Sequence, residues 1–260
     1  MLKEYPFEGK IWKSLADPYG SRLALEIRDE ENRQTYYAVI DAEKNDLVGE
    51  SVSLEEEWWT GLSGISGDTL LVHTYEGRSN PDYQTLYAIN ILTGEISWEA
   101  DKFVLSACDR DFAYGFVLSE GERHFGKIKL DSGEYTALEN EGRPAEADPQ
   151  WRFATRYEEE DTHFETVKAF FRQKKGVEAV RCFEYFENEK AVAISYYLKK
   201  DAELENRLLL MTLTGEEIFD QELDTGKGVA SDTFFLFGDS SIFYIRHKSN
   251  LCVYDLDNLP

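Results

Sequence analysis

The sequence predicts an all-β fold, and three observations carry that reading: a hairpin phrase, its return at regular spacing, and a final repeat divided between the chain ends. The phrase is Ala88-Ile89-Asn90-Ile91-Leu92-Thr93-Gly94-Glu95-Ile96-Ser97-Trp98. A β-rich run, a Thr-Gly turn and a second run closing on Trp98 make one hairpin, because glycine accepts the positive φ of a tight turn. Gly133 follows Gly94 by 39 residues, and Gly215 follows Gly133 by 82, two such periods. A period near forty with four short strands per unit predicts a β-propeller.

The units follow in chain order. Residues 21–52 give Arg22 to Ile27, Thr35 to Asp41 and Leu47-Val48, with no clearly marked inner strand. The second unit runs from the small-residue segment Gly61 to Ser66 through Thr69 to Glu76 and Thr85 to Asn90, ending on Ile96 to Glu99. The third comprises Val104 to Cys108, Phe112 to Leu118, Gly126 to Leu130 and Tyr135 to Leu138. The fourth takes Val177 to Asn188, Ala191 to Tyr197, Leu208 to Met211 and Ile218 to Asp220. Ser241 to Ile245 and Leu251 to Asp255 begin a fifth, which lacks an outer strand. Gly9-Lys10-Ile11-Trp12-Lys13 echoes Gly94 to Trp98 and is predicted to supply it, so that a five-bladed propeller is closed by its N-terminal strand.

The double spacing between Gly133 and Gly215 is explained by an insertion over 139–176. Phe164, Val167, Phe170 and Phe171 recur at helical spacing within Thr162 to Lys174, basic residues crowd the end, and Gly176 stops the run. A helix is therefore predicted around 160–176, preceded by a loop over Glu139 to Pro149. The whole chain, 1–260, reads as a single propeller domain.

Composition narrows the function. The 28 Lys and Arg face 51 Asp and Glu, a formal charge of −23, which repels nucleic-acid phosphates and anionic lipid surfaces. No window approaches the eighteen apolar residues of a membrane span, and the N-terminus lacks the apolar core of a signal peptide. Cys108, Cys182 and Cys252 are too far apart and too few for a disulfide framework or a Cys-x-x-Cys site. A cytoplasmic protein is expected.

The Ala88 to Trp98 phrase resembles the repeat of quinoprotein-type propellers, Ala-x-Asp-x-x-Thr-Gly-x-x-x-Trp, with Asn90 in place of the Asp and Thr93, Gly94 and Trp98 matching. Tyr254-Asp255-Leu256-Asp257-Asn258 keeps the front half of that pattern, and Leu213-Thr214-Gly215-Glu216 its turn. The resemblance implies that Trp98 and Trp12 are docking residues between blades. Quinoprotein dehydrogenases carry eight blades, a calcium-bound quinone and often adjacent cysteines, none of which this sequence offers, so no cofactor is expected. With its Glu-Trp-Trp segment and its helix ahead of Tyr196-Tyr197, the chain also resembles an uncharacterised bacterial family, domain of unknown function 4905, which implies no activity.

Candidate binding residues lie in the segments that do not repeat. Glu56, Trp58, Trp59, Arg78, Asp82 and Trp151 fall in loops predicted to share one mouth of the propeller, where aromatic faces beside carboxylates suit a protein or carbohydrate ligand. Asp109 and Asp111, after an inner strand, are the nearest pair for a glycoside hydrolase, the alternative reading. His73, His124, His163 and His247 share no metal-ligand spacing, and no nucleophile elbow or phosphate loop is present. The sequence predicts a non-catalytic binding or scaffold domain.

Overall fold

The computed structural model describes residues 1–54, 58–75, 84–119, 121–144, 146 and 150–259. The strands of the described residues gather into five antiparallel sheets. β1 (Leu2–Pro6) comes first. The first four-stranded sheet is the meander β2 (Lys10–Ala16), β3 (Arg22–Asp29), β4 (Gln34–Asp41) and β5 (Asp46–Val52). A second meander follows in β6 (Thr60–Ser66), β7 (Thr69–Tyr75), β8 (Gln84–Asn90) and β9 (Ile96–Asp101). The third is β10 (Phe103–Cys108), β11 (Phe112–Ser119), β12 (Glu122–Lys129) and β13 (Tyr135–Ala137). After the short strands β14 (Trp151–Phe153) and β15 (Thr155–Glu158) and the helix α1 (Phe164–Lys174), a fourth meander comprises β16 (Ala179–Glu187), β17 (Ala191–Lys200), β18 (Glu203–Thr212) and β19 (Glu217–Gly226). The last strands are β20 (Phe234–Phe237), β21 (Ser241–Arg246) and β22 (Asn250–Asp255).

The chain divides into two compact units, one of residues 8–150 and one of residues 1–7 with 151–260. In the 8–150 unit the first two meanders bury Ala24, Tyr37, Val39, Leu62, Leu70 and Ile89 in one cluster. The second and third meanders share Leu71, Leu86, Trp98, Phe103, Ala113 and Ile128. Because the second sheet contributes to both clusters, its inner strands are buried on both faces. That is why β7 reads as a nearly continuous apolar run over Leu70 to Val72, and the outer strand β9 does not.

In the other unit β16 to β19 pack on the β20 to β22 sheet through Leu208, Leu210, Leu223, Phe234, Leu236 and Tyr244. The predicted helix is present, and it docks on the opposite side of the same sheet by burying Phe164 and Phe171. The Phe171 ring stacks parallel to Phe183 at 5.7 Å and lies 4.1 Å from Tyr196.

Two sequence expectations need correction. The strand that pairs with β22 is Leu2–Pro6, in the register Leu2 with Tyr254 to Pro6 with Asn250. Residues 10–16 instead form the inner strand that the first unit lacked, paired with β3. Gly9 separates the two strands at φ +135°, and a Cβ there would meet the Arg28 carbonyl oxygen at 2.8 Å, so the bend admits only glycine. The segment after Gln150 is not loop: β14 pairs with β20 and β15 with β16, leaving Ala154 between two different sheets. Asp224 to Gly226 form the end of β19.

Candidate functional site

The first strand of each of four meanders carries a bulge. Trp12 is skipped between the pairs Ile11 with Ile27 and Lys13 with Glu26. Ser63 is skipped in β6, Ser106 in β10, and Arg181 with Cys182 in β16. An extra residue on one strand turns its side chain away from the ladder. At Trp12 the result is a large apolar side chain that is 63% exposed.

Across the ladder from this bulge, Glu26 and Arg28 share one face of β3, since side chains two apart on a strand point the same way. Glu26 is only 2% exposed. Its Oε1 accepts from Arg28 Nε at 2.7 Å and lies 2.7 Å from Nη2, while its Oε2 accepts from the Leu62 backbone N–H at 2.8 Å. Arg28 Nη2 also donates to the Thr60 carbonyl at 3.0 Å. The guanidinium carbon then lies 5.4 Å from the ring centre of Trp12 and 5.3 Å from that of Trp58, within cation–π range of both. A buried carboxylate thus fixes one arginine against two indoles, and the pair is locally neutral.

Polar contacts between the first two meanders support this clamp. Lys13 Nζ donates to the Leu62 carbonyl at 2.8 Å, and the Tyr37 hydroxyl lies 2.7 Å from Thr60 Oγ1. Burial pushes the Tyr37 phenol up, so it stays protonated. Ser63 Oγ lies 2.6 Å from His73 Nδ1, and the His73 ring meets Tyr75 edge-on at 4.7 Å. Burial, with Lys13 and Arg28 nearby, lowers His73 to about 4. Its buried Nε2 has no hydrogen-bond partner among the described residues.

The Ser63 and His73 pair has the separation of a nucleophile and its base, but it is poorly suited to acyl transfer. A base works best with a pKa near the operating pH, and no carboxylate orients the ring through Nε2 among the described residues. Asp109 is equally committed to structure. Its Oδ1 accepts from the Asp111 and Phe112 N–H groups at 2.9 and 2.8 Å, and its Oδ2 from the Tyr114 hydroxyl at 2.7 Å. It closes the turn between β10 and β11. Among the described residues no group of three His, Cys, Asp or Glu side chains could hold a metal ion.

Beside the clamp lies an open cavity of about 480 Å³ lined by Glu8, Lys10, Arg28, Asp29, Glu30 and Glu31. Lys10 pairs with Glu30, and Asp29 accepts from the Glu31 and Asn32 backbone N–H groups. The Asn32 side-chain amide, which donates to Asp29 Oδ2 at 2.6 Å, together with these backbone bonds holds the Asp29 carboxyl below its ordinary range.

Of the six predicted binding residues, Glu56, Arg78 and Asp82 lie outside the described residues. Trp58 is partly buried beside Arg28, and Trp59, 47% exposed, follows it. Trp151 is a correction: it is 3% exposed, and its ring packs 4.9 Å from Phe237, 5.4 Å from Phe243 and 5.8 Å from Phe235, so it fills a core rather than meeting a ligand. Trp12 is the converse, an indole expected to dock sheets that stands exposed. Trp98 is buried as a docking residue, its Nε1 donating to the Leu130 carbonyl at 2.8 Å. Sequence reasoning missed Arg28, although a Glu26-x-Arg28 pair inside the apolar run of β3 is a readable signal.

With this geometry in place, the family match falls on the same part of the chain. Residues 16–98 match the model of the Domain of unknown function (DUF4905). Glu26, Arg28, Trp58, Trp59 and Trp98 all fall inside that DUF4905 segment, whereas Trp12 precedes it. No curated protein matches the chain. Among solved structures, it is similar to BamB from Moraxella catarrhalis, at 12% identity over 96% of this chain and 85% of that one with a TM-score of 0.34. It is similar to the β-propeller domain of the Trilobed protease from Pyrococcus furiosus, at 12% identity over 95% and 81% with a TM-score of 0.35. A third likeness is the putative TolB from Agrobacterium tumefaciens, at 11% identity over 98% and 78% with a TM-score of 0.33.

Proposed function

We propose that the protein is a non-catalytic binding module in which the five sheets serve as the blades of one propeller and the Trp12, Arg28 and Trp58 surface is the contact site. The observation that carries the reading is the clamp itself. A chain that burned no binding role into this surface would gain by burying an indole, yet the β2 bulge turns Trp12 into solvent while a buried glutamate spends both oxygens on rigidity behind it. Preorganised, exposed aromatic side chains beside arginine are what interface hot spots are made of.

The β1 to β22 pairing supports the blade reading, since it joins an N-terminal strand to the last meander as ring closure requires. The three free cysteines, two of them buried and all with thiols pushed up to about 11 by burial, suit a reducing compartment such as the cytoplasm. The hydrolase reading loses its best carboxylate to the Asp109 turn.

Two experiments test these statements. A crystal structure should show the five sheets arranged about one axis; two separately packed units would overturn the propeller. Immunoprecipitation of wild-type protein and Trp12→Ser from the native cell, read by quantitative mass spectrometry, should show at least one protein depleted tenfold or more with the variant. Equal recovery of every protein would overturn the contact site.

A further inference from the structure

We infer that the occupant of this surface is an arginine- or lysine-bearing segment of a partner protein, an inference that rests on the contact site proposed above. Charge complementarity selects it. Glu26 neutralises Arg28, so the clamp does not repel a second cation approaching the outer face of Trp12. The adjoining cavity then presents Glu8, Asp29 and Glu31 against a single lysine, Lys10, already paired with Glu30. Glu8 and Glu31 are exposed, and neither has an ion-pair partner among the described residues. Arg28, which packs against Trp12, also lines the cavity that holds Glu8 and Glu31, and an exposed indole with carboxylates in the adjoining cavity attracts a guanidinium or ammonium group by cation–π and charge interactions together. The formal charge of −23 adds long-range steering of the same sign. An anionic ligand would meet repulsion from Glu8 and Glu31, with Arg28 and Lys10 already paired to carboxylates, and a neutral one would leave Glu8 and Glu31 unused.

Isothermal titration on the full chain tests the inference with a nine-residue peptide carrying four arginines and a matched peptide with citrulline in their place, which keeps the shape and removes the charge. The arginine peptide should bind with one-to-one stoichiometry. Affinity should fall at least tenfold for the citrulline peptide, for Trp12→Ser, and for the Glu8→Gln, Glu31→Gln double variant, each shown by circular dichroism to keep the wild-type melting temperature within a few degrees. Equal binding of the citrulline peptide, or arginine-peptide binding unchanged by both variants, overturns the inference, the latter because it reports only diffuse attraction to an acidic surface. If the arginine peptide fails to bind while Trp12→Ser still loses its cellular partner, the contact site stands and the cationic occupant is wrong. If neither effect is seen, both fail.

Discussion

The indole nitrogen of Trp98 donates to the backbone carbonyl of Leu130 across 2.8 Å, tying the outer strand of the second meander to the end of β12 in the third. The same side chain lies over Gly133, where a Cβ would meet Trp98 Cβ and Cγ at 2.8 Å. One residue of the repeated phrase therefore joins its own sheet to the next copy of the turn. Trp98→Phe keeps most of the packing but strands a carbonyl, and should cost roughly 1–3 kcal/mol. Trp98→Ala should cost roughly 3–5 kcal/mol. Urea denaturation measures both, and a Trp98→Phe variant as stable as the wild type would show that the hydrogen bond contributes nothing.

The equivalent glycines Gly94 and Gly133 both sit at φ +73° but differ in surroundings, since nothing lies within 4 Å of a Cβ at Gly94. Gly94→Ala should cost about 1 kcal/mol, the left-handed backbone penalty alone. Gly133→Ala should cost clearly more, because Trp98 must also shift. Denaturation midpoints of the pair separate the backbone term from the contact.

Glu26→Gln keeps the shape of the clamp and removes its charge, leaving Arg28 with a partly buried, uncompensated guanidinium. A loss of about 3 kcal/mol is expected, at the low end for breaking a buried ion pair because Arg28 retains some contact with water. Replacing both residues, Glu26→Leu with Arg28→Met, should recover part of that loss while abolishing the contact of Trp12 and Trp58 with a cation. Chemical denaturation gives the first quantity and tryptophan emission the second.

His73 supplies a pH signature. It is neutral when folded, at about 4, and returns to about 6.5 when unfolded. Below pH 6.5 the unfolded chain takes up a proton that the folded chain refuses, so stability from this group is full above 6.5 and falls as the pH drops toward 4. The whole fall corresponds to roughly 3 kcal/mol. The stability gap between wild type and His73→Gln should therefore narrow by most of that amount between pH 7 and pH 4.5. A gap independent of pH would contradict the assignment.

The sheets were legible because their central strands are apolar on both faces and their turns demand glycine, as at Gly94, Gly133 and Gly215. β14 and β15 were not, since three- and four-residue strands bearing Arg152, Arg156 and Glu158 show no period and gain their place from the edges of β20 and β16. The N-terminal strands were interchanged because Gly9-Lys10-Ile11-Trp12 imitates Gly94 to Trp98 in letters while its pairing is decided by the bend at Gly9. The contact surface was half legible. Trp58 and Trp59 stand out as an aromatic pair after three glutamates, but the bulge that exposes Trp12 arises from register, which no local pattern records. Trp151 failed for the opposite reason: its loop-like neighbours hid a strand whose partners, Phe235, Phe237 and Phe243, come from the far end of the chain.

The most direct test of the contact surface is photo-crosslinking in the native cell from a photoreactive residue at position 12, with position 92, an equally exposed turn residue, as the control. A discrete protein adduct from position 12 and none from position 92 is the expected result. The same adducts from both positions, or none from position 12, would contradict it.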